Sequence, residues 1–200
     1  MTAKDELRRR MRAILAAMPL KEAKRQAERA AERLAEWPAY RSAGCVLLYA
    51  ALPGELDTGP MILRALADGK RLLLPRCEES GEIRAMRVED PRTLRPGRFG
   101  IREPSGALPA ADPLAIDLVL TPGLAFDEEG ARLGRGKGFF DRYLSGVRAL
   151  TVGVAYLEQI LPVFPAEARE DHDVRMAYLL TARGVFPASF PCKSERREVR

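Results

Sequence analysis

The sequence predicts a three-layer α/β fold: a mostly parallel sheet flanked by helices, in a single domain. Three observations predict it. Short continuous apolar runs of strand length recur along the chain, the kind found in strands buried on both faces. Segments with helical spacing alternate with them, which favours parallel strands joined by crossovers. The length, 200 residues, makes one ordinary domain that can bury a core without disulfides or a structural metal.

The first segment is helical. Leu7, Met11, Ile14, Leu15 and Met18 follow helical spacing, Thr2 and Asp5 have the spacing of a capping box, and Pro19 ends the run. A second helix is predicted over 21–36, with an alanine-rich stripe (Ala23, Ala27, Ala30, Ala31, Leu34) suited to close packing, and Pro38 closes it. Residues 45–50 form the first strand, 58–68 a helix stopped by Gly69, and 71–74 a strand ending before Pro75. Residues 83–88 alternate and are expected nearer a sheet edge. Residues 89–113, rich in proline and glycine, read as a long surface excursion. Strands follow at 117–121, 150–155 and 176–181, with a helix at 138–144. The domain is expected to span 1–183, leaving 184–200 as an exposed C-terminal tail.

The composition, 46% hydrophobic and 30% charged, is that of a globular chain. No apolar run approaches the roughly 20 residues that span a bilayer. The opening residues are charged and lack the apolar core of a signal peptide. Cys45, Cys77 and Cys192 are scattered, and His172 is the single histidine, so zinc motifs and histidine-based triads are disfavoured. A soluble, cytoplasmic monomer is expected. The net charge of +5 suits anionic small molecules. With 6% aromatic residues and no aromatic–basic interleaving, neither nucleic acid nor membrane is an expected partner.

Chemistry concentrates in residues 121–144. Gly134, Gly136 and Gly138 alternate with Arg135 and Lys137, and Arg132 precedes them. Glycines allow positive φ and let amide N–H groups converge on a ligand. A helix follows, adding its free N–H groups. Such a segment can cradle a polyphosphate; the competing reading is a tight turn with surface arginines. It is not a P-loop, because Gly138 stands where Ser or Thr would follow the lysine. The spacing also differs from the dinucleotide fingerprint. Asp141 would suit a magnesium ion beside phosphates, or simply a helix N-terminus. Glu55, after the first strand, would meet a ligand at the carboxyl end of the sheet, or be a solvated loop acid beside the helix caps Asp57 and Thr58.

The run P-G-L-A-F-D-E-E-G-A-R-L-G-R-G-K-G-F-F-D-R-Y-L (122–144) resembles the signature of the 5-formyltetrahydrofolate cyclo-ligase family, also called 5,10-methenyltetrahydrofolate synthetases. Further segments resemble the family in the same order: K-D-E-L-R (4–8), Y-A-A-L-P-G-E-L-D-T (49–58), G-K-R-L-L-L-P-R (69–76), F-G-I-R-E-P (99–104) and V-G-V-A-Y-L-E-Q (152–159). The resemblance covers residues 4–181 and implies a Rossmann-like or NagB-like sheet. It implies ATP-dependent cyclisation of 5-formyltetrahydrofolate to 5,10-methenyltetrahydrofolate, with ADP and phosphate released. ATP would be held by Lys4, Arg8, Arg132, Leu133, Gly134, Arg135, Gly136, Lys137, Gly138, Phe139 and Phe140. The folate would meet Ala50, Glu55, Arg135, Gly136, Lys137, Gly138 and Phe139. Asp141 and Asp173 would be magnesium ligands, and Lys137 with Arg135 would act on the transferring phosphoryl.

Two positions depart from the family pattern. Phe139 and Phe140 stand where members often carry two tyrosines. Ala177 stands where members commonly carry a second aspartate, so Asp171 or Asp173 would complete the metal site. The alternatives are a related ATP-dependent enzyme for another N-formyl or pyrimidine-type substrate, a non-catalytic nucleotide or RNA binder, and a sugar-phosphate isomerase that needs no MgATP.

Overall fold

The computed structural model describes residues 2–97, 100–104, 110–168 and 173–188. Helix α1 (Ala3–Ala16) starts at a reciprocal cap: the Thr2 hydroxyl accepts the Asp5 N–H at 3.2 Å, and the Asp5 carboxylate accepts the Thr2 N–H at 3.2 Å. Its buried face is Leu7, Met11 and Leu15, each contributing about 2 kcal/mol of burial. Helix α2 (Leu20–Glu36) turns its alanine stripe inward, and the short α3 (Pro38–Ser42) follows with proline in its first turn.

The remaining elements follow in order: β1 (Cys45–Leu47), α4 (Gly59–Ala67), β2 (Arg71–Cys77), β3 (Ile83–Arg87), β4 (Arg95–Pro96) and β5 (Arg102–Glu103). Then come β6 (Leu118–Thr121), β7 (Ala125–Asp127), β8 (Arg132–Leu133), α5 (Phe139–Leu144), β9 (Leu150–Val154), β10 (Ile160–Leu161), β11 (Tyr178–Thr181) and β12 (Gly184–Pro187). The main sheet has seven strands in the order β12-β11-β9-β6-β1-β2-β3. Its five central strands are parallel, and both edge strands run antiparallel. The predicted architecture is thus borne out. The central strands are buried along most of their length, and the main core cluster also includes α1, α2 and α4.

Four expectations need correction. The first strand ends at Leu47 rather than residue 50, because the chain turns away: the Thr58 hydroxyl donates to the Tyr49 carbonyl, and the Tyr49 hydroxyl donates to the Leu56 carbonyl at 3.2 Å. The second strand does not stop before Pro75 but continues to Cys77. Beyond the register Cys45–Leu47 with Arg71–Leu73, β1 no longer pairs with it, so the missing proline N–H leaves no ladder bond unmade. The third correction concerns the tail, which was expected to begin at Gly184. Residues 184–187 instead form β12, paired with β11 over four residues, and the Ala188 N–H donates to the Ala177 carbonyl at 2.9 Å. The rest of that segment, 189–200, lies outside the described residues. Fourth, the excursion 89–113 is not all surface: Leu94 and Glu103 are buried, and β4 pairs with β5.

A small sheet, β10-β7-β8, was not expected from the sequence. Its organiser is Asp127, fully buried. One carboxylate oxygen accepts the N–H groups of Glu129 (3.0 Å) and Ala131 (2.8 Å), and the other accepts that of Phe164 (3.0 Å). This hairpin delivers the chain from β8 directly into the glycine-rich loop.

Candidate functional site

A cavity of about 480 Å³ opens at the carboxyl ends of β1, β2 and β6, the place where open α/β sheets bind ligands. Its walls are the turn after β1, Pro75 and Cys77 of β2, Ile83 of β3, Ile101, Pro122 and Gly123 after β6, and the loop from β8 into α5.

The loop is built in layers. Arg132 lies in β8, and its side chain is only 4% exposed. Its Nη1 donates to the Pro122 carbonyl at 3.2 Å, its Nη2 pairs with the Asp141 carboxylate, and its guanidinium lies 5.9 Å from the centre of the Phe140 ring. The Nε is buried with no hydrogen-bond partner among the described residues. Leu133 is core, and its N–H and carbonyl belong to the β7–β8 hairpin. Gly134 accepts a bond from Arg8 Nε at 3.1 Å, while Arg8 Nη1 pairs with Asp5 at 2.8 Å. Arg135 then reaches across the cavity. Its Nε donates to Glu55 Oε1 at 2.8 Å and its Nη2 to the Pro53 carbonyl at 2.9 Å. The other Glu55 oxygen accepts the Leu52 N–H at 2.9 Å. Gly136 has φ +100° and Gly138 φ +68°, backbone conformations that side chains with a Cβ rarely adopt.

Lys137 differs from its neighbours. It is exposed at the cavity wall, and its ammonium has no ion-pair or hydrogen-bond partner among the described residues. By contrast Lys4, Arg8, Arg132 and Arg135 each grip a carboxylate. Arg142 braces the loop from below, donating to the carbonyls of Gly81 (2.7 Å) and Lys137 (3.3 Å), 5.5 Å from the Phe139 ring centre.

Of the residues singled out from the sequence, Ala50, Glu55, Arg132, Gly134, Arg135, Lys137, Gly138, Phe139, Phe140 and Asp141 line this one cavity. Arg8 touches the loop from outside it. Leu133, Gly136, Lys4 and Asp173 do not line it. Lys4 and Asp173 meet each other instead, with Nζ 3.0 and 2.9 Å from the two carboxylate oxygens. Asp171 and Phe99 lie outside the described residues. Among the described residues no three metal-ligating side chains cluster. The donor chemistry suits a magnesium ion held chiefly by phosphate oxygens, with Asp141 as the carboxylate at the cavity.

Sequence reasoning missed Tyr49, Pro122, Gly123, Ile83 and Ile101 on the walls. It also missed Gln159, fully buried, whose amide donates to the Gly123 carbonyl at 2.7 Å and so holds that turn. Pro122 and Gly123 directly follow a strand, which is the one signal that would have found them. Gly123 is needed there: a Cβ would sit 2.7 Å from the Phe126 ring. Burial, and secondarily the nearby Glu55 carboxylate, hold the Tyr49 phenol well above its ordinary pKa, so it stays neutral.

A family model described as the 5-formyltetrahydrofolate cyclo-ligase family matches residues 1–182. The 5-formyltetrahydrofolate cyclo-ligase of Mus musculus is 28% identical over 197 residues, covering 90% of this chain and 93% of that one. That of Escherichia coli K12 is 34% identical over 137 residues, 66% of this chain and 75% of that one. The NMR structure of the Aquifex aeolicus 5,10-methenyltetrahydrofolate synthetase is similar at a TM-score of 0.82 and 34% identity, covering 98% of this chain and 96% of that one.

Proposed function

The chain belongs to the 5-formyltetrahydrofolate cyclo-ligase family, and we propose that its cavity between β1, β6 and the glycine-rich loop is where the ring is closed. The reaction is ATP-dependent conversion of 5-formyltetrahydrofolate to 5,10-methenyltetrahydrofolate. The difficulty is the formyl group: N10 can add to its carbon, but an amide oxygen does not leave. The formyl oxygen therefore attacks the γ-phosphorus of ATP and ADP departs. N10 adds to the activated carbon and gives up its proton, and the C–O bond breaks, releasing phosphate that carries the proton away. Nothing here needs a protein nucleophile. It needs two ligands in line and positive charge where the phosphoryl moves.

The observation that carries the assignment of roles is Lys137, a cation at the cavity wall with no partner among the described residues. It stabilises the transferring phosphoryl. Arg135 joins the two sides of the cavity through Glu55, so it orients the folate and the phosphate chain together. The triphosphate lies along residues 132–140 and draws on Lys4 and Arg8 of α1. Ala50 and Glu55 bound the folate, with residues 135–139 on its other side. Magnesium, when bound, screens the phosphate charge; Asp141 would hold it, and Asp173 would join once Lys4 turns to phosphate. The protein works as a cytoplasmic monomer on small molecules. Among the described residues no helix is long and apolar enough to cross a membrane.

The test is to mix the purified protein with MgATP and 5-formyltetrahydrofolate and follow the methenyl chromophore together with ADP. Both should rise in equal amounts. Folded protein that produces neither overturns the reading.

A further inference from the structure

A buried polar cluster lies behind the cavity. After β9 the chain makes one turn of 3-10 helix, Leu157–Gln159. Tyr156 before it and Gln159 at its end are buried, and neither lines the cavity. Each reaches a different wall of it. The Tyr156 hydroxyl donates to the Glu55 carbonyl at 3.1 Å, in the turn after β1. The Gln159 amide nitrogen donates to the carbonyls of Gly123 at 2.7 Å and Leu124 at 3.2 Å, in the turn after β6. The two residues are also tied to each other. Gln159 Oε1 accepts the Tyr156 N–H at 2.8 Å, and the Gln159 N–H donates to the Tyr156 carbonyl at 3.0 Å. Gln26 of α2, itself buried, anchors the turn by accepting the Leu157 N–H at 2.8 Å. Buried polar groups are costly unless satisfied, so such a cluster holds its members in one geometry.

We propose that Tyr156 is a positioning residue that acts through Glu55, setting its carboxylate against the substrate, with Gln159 as the fixed point that ties Tyr156 to the opposite wall. The proposal rests on the cyclo-ligase reading of the cavity. Glu55 is held at three points. Its Oε1 accepts from Arg135, its Oε2 accepts the Leu52 N–H, and its carbonyl accepts from Tyr156. The first two partners line the cavity, where a ligand can replace them. The third comes from the interior, out of a ligand's reach. A misplacement of about 1 Å can cost a hundredfold in rate. The bond that a ligand cannot disturb is therefore the one that keeps the formyl group in line when the substrate takes over the other two.

The experiment measures Tyr156→Phe on the full chain in two backgrounds, wild type and Glu55→Ala, at saturating MgATP. The substitution keeps the ring and deletes one hydrogen bond. In the wild-type background kcat/KM for 5-formyltetrahydrofolate should fall about tenfold, while KM for MgATP stays within about twofold. In Glu55→Ala the carboxylate to be positioned is gone, and the same substitution should change kcat/KM by less than about twofold. If Glu55→Ala turns over too slowly to follow, the Kd of 5-formyltetrahydrofolate by titration calorimetry replaces it, raised about fivefold by Tyr156→Phe in the wild-type background and unchanged in Glu55→Ala. Tyr40→Phe is the comparison. It deletes the bond from another buried phenol, to Asp68 at 2.9 Å, outside the cavity, and should lower Tm with kcat/KM unchanged. Wild-type kcat/KM in Tyr156→Phe, an equal loss in both backgrounds, or an equal loss in Tyr40→Phe overturns the positioning role alone. Wild-type protein that forms no methenyl product overturns the cyclo-ligase reading and the positioning role with it.

Discussion

Residues 131–133 and residues 135–137 are separated by a single glycine, yet the first three are buried and the last three are exposed. Both stretches carry cations from the same short motif. In the first, Arg132 is immobilised by a backbone carbonyl on one side and Asp141 on the other. In the second, Arg135 is held by Glu55 at one end and Lys137 has no partner among the described residues. Two arginines and a lysine that look interchangeable in the sequence thus have different tasks. A buried guanidinium must be paired because an unpaired charge inside a protein is costly, and Arg132, paired through both terminal nitrogens, builds the wall. A cation left in solvent beside a cavity keeps its charge for a ligand.

The sharpest way to break this contrast is at its exposed end. Lys137→Ala should lower kcat at least about a hundredfold at saturating MgATP, the loss typical of removing one preorganised charge at a transition state. The melting temperature should stay within about 2 °C of wild type, as for exposed substitutions generally. Retention of most turnover would erase the division of labour.

At the buried end the prediction reverses in kind. Arg132→Ala should cost about 3 kcal/mol in urea unfolding, because it strands the Asp141 carboxylate and opens a void against Phe140. A stability equal to wild type would mean that the Arg132–Asp141 pair does not hold this wall together.

Between the two ends the glycines hold the backbone turn. Gly138→Ala places a side chain at φ +68° and puts its Cβ 2.9 Å from Arg142 Nη1. The expected loss is about 1–2 kcal/mol of stability, with a raised KM for ATP as the loop shifts. An unchanged KM would show that the loop backbone does not touch the nucleotide.

The smallest effect is expected just beyond, on α5. The Tyr143 hydroxyl is buried with no partner among the described residues, and burial, with a lesser contribution from Cys45, pushes its pKa up to about 12. The folded state therefore favours the neutral phenol. That contribution is complete below the unfolded value near 10 and disappears as pH rises towards 12. Tyr143→Phe should leave neutral-pH stability unchanged or raise it by under about 1 kcal/mol. The variant should also lose less stability than wild type between pH 10 and 12, as read by thermal melts across that window. Equal losses would show that the phenol is not what titrates there.

Much of the site was legible because the loop's character is local. Gly134, Gly136 and Gly138 with Arg135 and Lys137 announce a phosphate cradle within a few residues, and the structure puts most of them on one cavity wall. Glu55 was legible as a residue at a strand's carboxyl end. Its partner was not, since Arg135 lies 80 positions away. The Lys4–Asp173 pair, 169 positions apart, was equally hidden, and neither residue lines the cavity. Gln159 stood in a segment that resembles the family, but its task was hidden because the Gly123 carbonyl it holds lies 36 positions away.

By itself the sequence determined the order and kind of the main elements, the Thr2 cap, the apolar strands and the glycine-rich loop. Each depends on backbone preferences and side-chain periodicity within a few residues. Only the tertiary structure decided that β12 closes an edge that looked like tail, and that β7, β8 and β10 make a second sheet. It also decided which cations are spent inside the protein and which face a ligand. Strands of two or three residues are too short to leave a periodic pattern. The pairing of charges depends on which distant segments the fold brings within a few ångströms of each other.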